Sequence, residues 1–276
     1  MRRREFITLL GGLATLAPLS AKAQQGQKVY RVGQIATTSP ISELTGPEPT
    51  NPAVRAFVQG LRALGYVEGQ NLILEHRSAE GRFERFGPIV AELVDLKADV
   101  IVTAGDPMTK VAIGITTTVP LVMAMSTNPM GKGLVKSIAR PGGNITGLTT
   151  QVGPEIEAKR LELLRAVLPS LSRVAYLGSH EDSDWEKPWG QSVRTAAQAV
   201  GLTLVLAEFF PHEYEDAFAK INRAQAEAVF VSPSAAAYAN RALIAELATK
   251  ARLPSIFYYR ESVELGGFYV LRSELS

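Results

Sequence analysis

The 276-residue chain has no cysteine. That excludes a disulfide framework, thiolate-held iron–sulfur clusters, cysteine zinc sites and a thiol nucleophile. Net charge is also small: 29 basic and 27 acidic residues leave a formal +2, which is no electrostatic footprint for nucleic acid. Histidine is rare. His76, His180 and His212 lie far apart and show no HExxH spacing, so neither a metal centre nor a zinc hydrolase is expected. Motifs for phosphate, dinucleotide and acyl chemistry are missing too. Gly178-Ser179-His180-Glu181 lacks the second glycine of a G-x-S-x-G elbow. Gly131-Lys132 lacks the upstream glycine of a phosphate loop, and Gly33 follows no G-x-G pattern. No cofactor is expected. After residue 23, no stretch reaches 18 uninterrupted apolar residues, so no membrane helix is read there.

What is present is a folding composition, 46% hydrophobic and 20% charged. The length allows one large domain or two smaller ones. Residues 1–23 stand apart. Arg2, Arg3 and Arg4 precede an apolar run from Ile7 to Leu19, and Ala21-Lys22-Ala23 closes with an A-x-A cleavage pattern. This is the build of a bacterial secretory signal peptide. Arg3-Arg4-Glu5-Phe6-Ile7 resembles the twin-arginine export signal, with a plain Sec signal as the alternative. The expected location is the periplasm. Residues 1–23 carry four basic residues and one acidic residue, leaving 25 basic against 26 acidic in the remainder. The positive charge therefore belongs to the export segment.

The remainder alternates strand and helix. Strands are expected at Tyr30–Ala36, Leu72–His76, Val100–Thr103 and Leu121–Met125, with helices opening at Asn51-Pro52 and at Phe86 and Met108. After a Gly-rich junction, Gly142–Gly147, the alternation restarts with about four more strands. There, Ala235–Ala251 reads as one long helix. Wholly apolar short strands between helices indicate parallel sheets covered on both faces. The halves echo each other: Lys97-Ala98-Asp99-Val100-Ile101-Val102 matches Ala226-Glu227-Ala228-Val229-Phe230-Val231 in role. Two similar α/β lobes are expected, one over residues 24–147 plus 267–276 and the other over 148–266.

In open α/β sheets ligands bind beyond the carboxyl ends of the strands. Two facing lobes would line a cleft with those turns. The candidates are Thr37, Thr38, Asp106, Ser126 and Asn128 in the first lobe. In the second they are Ser179, Trp185, Ser232, Ser234, Tyr258, Arg260 and Glu261. Hydroxyls and helix N-termini suit a carboxylate, Asp106 or Glu261 suits an ammonium, and an aromatic ring suits an apolar part. The same Ser, Thr, Asp and Asn residues also serve as ordinary turn and cap residues. Trp185 and Trp189 can be packing residues, and Arg260 can simply pair with Glu261 or Glu264. A secreted α/β hydrolase using Ser179 or Ser232 with His180 or His212 remains the second reading.

The segments LGYVEGQNLILEHRSAEG (Leu64–Gly81), ADVIVTAGDP (Ala98–Pro107), NPMGKGLVKSIARPGGNITGLT (Asn128–Thr149) and YYRESVELGG (Tyr258–Gly267) resemble the tryptophan-binding type of ABC transporter substrate-binding protein. The resemblance covers nearly all of Val29–Gly267, and Ala139–Gly147 is its most specific run. It implies two Rossmann-like lobes in the type I periplasmic-binding-protein architecture. It also implies a periplasmic receptor, expected to be monomeric, that closes on a small ligand such as an amino acid and delivers it to a membrane permease with an ATPase subunit. Asn128 stands where the family commonly has Asp-Pro, and Asp106-Pro107 where it has Thr-Pro or Ser-Pro, so a different charge preference is expected. The stretch after Gly266–Val270 does not match the family, and a truncated C-terminus is expected.

Overall fold

The structure is a computed structural model that describes residues 28–150, 154–180, 185–186, 188–210, 213–262 and 264–265. Residues 1–23, read above as a signal peptide, and Gly266–Gly267 lie outside the described residues.

Five strands form the first sheet: β1 (Tyr30–Ala36), β2 (Leu72–Ser78), β3 (Val100–Ala104), β4 (Leu121–Ser126) and β5 (Ile145–Thr149). Their order is β2-β1-β3-β4-β5, all parallel. Four strands form the second: β6 (Arg173–Ser179), β7 (Thr203–Phe209), β8 (Ala228–Val231) and β9 (Ser255–Ile256), in the order β7-β6-β8-β9, again parallel. Helices α1 (Pro52–Ala63), α2 (Phe86–Asp95) and α3 (Asp106–Ile115) connect the first sheet. Helices α4 (Pro154–Val167), α5 (Pro188–Ala199), α6 (Tyr214–Arg223), α7 (Ala235–Ala239) and α8 (Arg241–Lys250) belong to the second.

Both sheets are covered on two faces, as their apolar strands require. On β1, Ile35 packs with Leu93 and Ile101, whereas its neighbour Ala36 packs with Val54, Val58 and Leu74 on the other side. On β8, Val229 and Val231 face Phe218 and Ile244, and Ala228 and Phe230 face Leu161 and Val193. The alternation of period two along these strands fills a core on each side.

The internal echo has a structural cause. Helices α2 and α6 are each followed, two residues past their last, by a residue of positive φ, Lys97 (+57°) and Gln225 (+53°). Two residues later an acid meets the first strand of its own lobe. Asp99 accepts the backbone N–H of Arg31 at 2.8 Å, and Glu227 accepts that of Arg173 at 3.3 Å. The same stop-and-capture step thus sets the start of β3 and of β8. At the opening of α1, Asn51 accepts the N–H groups of Ala53 and Val54 at 3.0 and 3.1 Å, the expected cap ahead of Pro52 at the first helical position.

Two elements differ from expectation. The Gly-rich junction contains a fifth strand, β5, so the first sheet runs through Thr149 before the chain crosses to the second lobe. Gly-rich polar composition hides this strand: only Ile145 of its five residues is buried. The other difference lies in the expected Ala235–Ala251 helix. It breaks at Asn240, whose side-chain amide donates to the carbonyl of Ala236 at 3.0 Å. The result is the short α7 followed by α8. No helix among the described residues is long and apolar enough to cross a membrane.

Gly147 pairs with Met123 across β4 and β5, and a Cβ there would collide with the Met123 backbone. Gly147→Ala is expected to lower stability by about 1–3 kcal/mol through this overpacking. Urea unfolding of the two proteins measures the difference.

Candidate functional site

The carboxyl ends of β1, β3 and β4 converge on α7 and the first residue of α8. Between them lies a cavity of about 180 Å³ with walls from both lobes. Gln34, Thr37, Thr38, Asn51, Phe57 and Met125 contribute from the first lobe, and Ala235, Tyr238 and Arg241 from the second. A second space of about 10 Å³ lies under it, lined by Thr37, Gly105, Ser179 and Ser234 among others. It is at the lower limit for a single water. The lobes approach closely at this floor. A Cβ on Gly105, whose φ is +90°, would stand 3.2 Å from that of Ala235.

Most polar groups on the first-lobe wall are already engaged. Thr37 donates its hydroxyl to the Ala104 carbonyl at 2.9 Å. Asn51 spends its oxygen on α1 and donates its amide to Ser39 Oγ at 3.0 Å. Gln34 Oε1 lies 2.9 Å from Nδ1 of His76. Burial holds the His76 pKa below its ordinary value, which keeps the imidazole neutral near pH 7. Thr38 is the exception, because its Oγ1 is buried without a hydrogen-bond partner.

The second-lobe wall is built on the helix break. Arg241 donates through Nη1 to the Tyr238 carbonyl at 2.9 Å, and its guanidinium lies 4.6 Å from the centre of the Tyr238 ring. Its Nε is buried and has no partner. Tyr238 in turn packs edge-on against Tyr259 at 4.7 Å. Burial, assisted by the charge of Glu261 and opposed by Arg241, raises the Tyr238 phenol pKa, so the ring stays neutral.

Asp106 behaves differently from the expectation that it offers a charge to the ligand. It is 2% exposed, and internal donors take both its oxygens. Ser126 Oγ donates to Oδ1. Thr127 donates its N–H and hydroxyl to Oδ2 at 3.1 and 2.8 Å, and the Asn128 N–H reaches the same oxygen at 3.3 Å. Lys132 Nζ completes the shell at 3.0 Å. Burial alone would raise the carboxyl pKa, but Lys132 and the hydroxyl donors outweigh it and hold the value below normal. This network ties the start of α3 to the loop after β4. Ser126 and Asn128 belong to it, and Asn128 also accepts the Gly131 N–H at 2.9 Å.

The remaining candidates scatter. Thr37 and Thr38 line the main cavity, and Ser179 and Ser234 line only the floor. Ser234 caps α7 by accepting the Ala237 N–H at 3.1 Å. Ser232 Oγ is buried without a partner. Trp185 packs on Tyr176 and beneath Arg194. Tyr258 covers the buried guanidinium of Arg160 at 4.6 Å and donates to the Thr150 carbonyl at 3.2 Å. Arg260 and Glu261 lie exposed on a 3-10 turn, Arg260–Ser262. His180 is 49% exposed, stacks on Phe210 and directs Nδ1 at Glu208, 3.5 Å away. His212 lies outside the described residues. Among the described residues, no group of three or more acids and histidines is placed to hold a metal ion.

Asp106→Asn is expected to cost about 3 kcal/mol at pH 7, because it removes the anion that hydroxyl, backbone and Lys132 donors surround in a buried site. The folded-state carboxyl pKa is depressed, so its contribution is complete above pH about 4 and is lost as pH falls through the folded value. The stability gap between the two proteins therefore narrows in acid, as urea unfolding at pH 7 and pH 3 reads out.

Similarity to known proteins follows the same lines. A conserved domain protein of Vibrio cholerae o1 biovar eltor superposes with a TM-score of 0.73 at 22% identity, covering 87% of this chain and 77% of that one. The ABC domain from Streptococcus pneumonia in complex with L-Trp gives 0.70 at 22% identity with the same coverage. At that identity these likenesses show the fold, the two-lobe architecture of type I periplasmic binding proteins. The tyrosine-binding protein of Clostridioides difficile (strain R20291) is 28% identical over 137 residues, half of this chain and 39% of that protein's length. The family model described as ABC transporter substrate binding protein matches residues 45–272, and the chain belongs to that family.

Proposed function

We propose that the protein is the solute receptor of an ABC importer. It takes up a small ligand, an amino acid or a related small organic molecule, between its lobes and presents it to a membrane permease with an ATPase subunit. The observation that carries this reading is the cavity itself. It is walled by both lobes, and on each side a lining residue, Thr38 or Arg241, carries a buried polar atom without a partner. A ligand bridging them favours lobe closure, since only the closed arrangement satisfies both. The names of the relatives, one tyrosine-binding and one crystallised with L-Trp, agree with a ligand of this size. Closure pivots where the chain leaves the first sheet after Thr149, beside the bond from Tyr258 to Thr150.

In this reading the protein works in the periplasm as a monomer, and the signal-like residues 1–23 support the location. No bond is made or broken in this reading. Ser232 has no hydrogen-bond partner to activate it, and His180 is turned to Glu208 at the surface.

Thermal and calorimetric titration with amino acids and small carboxylates tests the reading. A ligand at one hundred times its dissociation constant is expected to stabilise the protein by about 2.7 kcal/mol. Arg241→Leu is expected to weaken binding by about tenfold or more, the worth of a charge-assisted hydrogen bond. Turnover of the bound compound that disappears in Ser179→Ala would sink the receptor reading.

A further inference from the structure

The cavity carries a charge of one sign only. Among the described residues on its wall, Arg241 is the single charged side chain, and no aspartate or glutamate joins it. The nearby acids are accounted for elsewhere. Asp106 lies beyond the wall, fully occupied by Lys132 and its hydroxyl and backbone donors. Glu261 influences Tyr238 through its charge, but its side chain is exposed on the Arg260–Ser262 turn and does not line the cavity.

Among the described residues, no acid pairs directly with the guanidinium. It stacks on Tyr238 and bonds one carbonyl, while its Nε faces no acceptor. It opens α8, a helix of ten residues, whose N-terminal end adds to the positive field. A partly buried cation without a counter-charge calls for an anion, ideally a carboxylate. On the opposite wall the Thr38 hydroxyl supplies a second free donor.

An ammonium finds the opposite situation. Entering a closed cavity, it needs a carboxylate or several free acceptors to replace its water. The side-chain amide oxygens on the wall are already taken. Asn51 Oδ1 serves α1, and Gln34 Oε1 serves His76. The remaining lining is largely apolar, with Val54, Phe57 and Met125 prominent.

We infer that the ligand is a monocarboxylate with an apolar or aryl body and no ammonium group. Its carboxylate bridges Arg241 and Thr38, and its hydrocarbon part lies against Phe57 and Met125. The wall then carries one positive charge against one negative charge, with no third ion to bury. This inference rests on the receptor reading and narrows its ligand class.

Calorimetric titration of the purified protein with matched compounds tests it. The pairs are 3-phenylpropanoate with L-phenylalanine and 4-methylpentanoate with L-leucine, alongside the uncharged 3-phenylpropanamide. Each deaminated acid is expected to bind about tenfold or more tightly than its amino acid, and the amide to lose about as much. In Arg241→Gln, the acid and the amide converge while Thr38→Val weakens the acid alone. Tighter binding of either amino acid, or equal binding of acid and amide, overturns the inference and leaves the receptor reading standing. Saturable binding of a sugar or another uncharged solute in place of every acid does the same. Failure of all these compounds, with no small molecule released on denaturing the protein as isolated, overturns both.

Discussion

A parallel strand is reached only by a crossover, and this constraint organises the molecule. Every connection leaving a strand's carboxyl end emerges at the same edge of its sheet. With five parallel strands in one lobe and four in the other among the described residues, the turns after β1, β3 and β4 come out together. They meet α7 and α8 across the main cavity. The apolar strands, the capped helices and the repeated turn at Lys97 and Gln225 all serve that arrangement. They fix the ends of strands, and the ends of strands make the site.

The electrostatics of the cleft divide between two neighbouring constructions. Asp106 is a negative charge solvated entirely by protein, and its role is to hold the first turn of α3 against the loop after β4. Arg241 is a positive charge solvated only in part. The first construction makes the wall rigid, and the second leaves one valence open. Placing the acid behind the wall, rather than on it, gives the cavity its single sign.

Much of the fold was legible because its signals are local. Buried runs such as Ile101–Val102 and Val229–Val231 and the Asn51-Pro52 helix opening each show in a few residues. Strand β5 was not legible, since a mostly exposed edge strand needs no apolar run. The break at Asn240 was hidden for a different reason. Asn240 sits inside a stretch rich in alanine and leucine, and only its bond to Ala236 distinguishes a kinked pair from one helix. Of the cavity wall, Thr37 and Thr38 in the turn after β1 are among the residues the sequence singles out. Phe57 and Arg241 were missed because they lie on helices. Gln34 had a visible signal, a lone amide within the apolar strand YRVGQIA. Asp106 stands out in the sequence as a departure from Thr-Pro or Ser-Pro, but sequence alone does not show that Lys132, 26 positions on, comes back to pair with it.

The stacking of Arg241 on Tyr238 also bears on how binding energy is used. A free arginine side chain samples many rotamers, and ordering it on capture costs about 2 kcal/mol of conformational entropy. Here the carbonyl bond and the aromatic face have already reduced that freedom before any ligand arrives. The attraction between ligand and guanidinium is therefore not consumed in immobilising a side chain. It remains available to draw two rigid bodies together, so that a tyrosine one helical turn away helps to determine how far a small molecule can shift the balance between open and closed lobes.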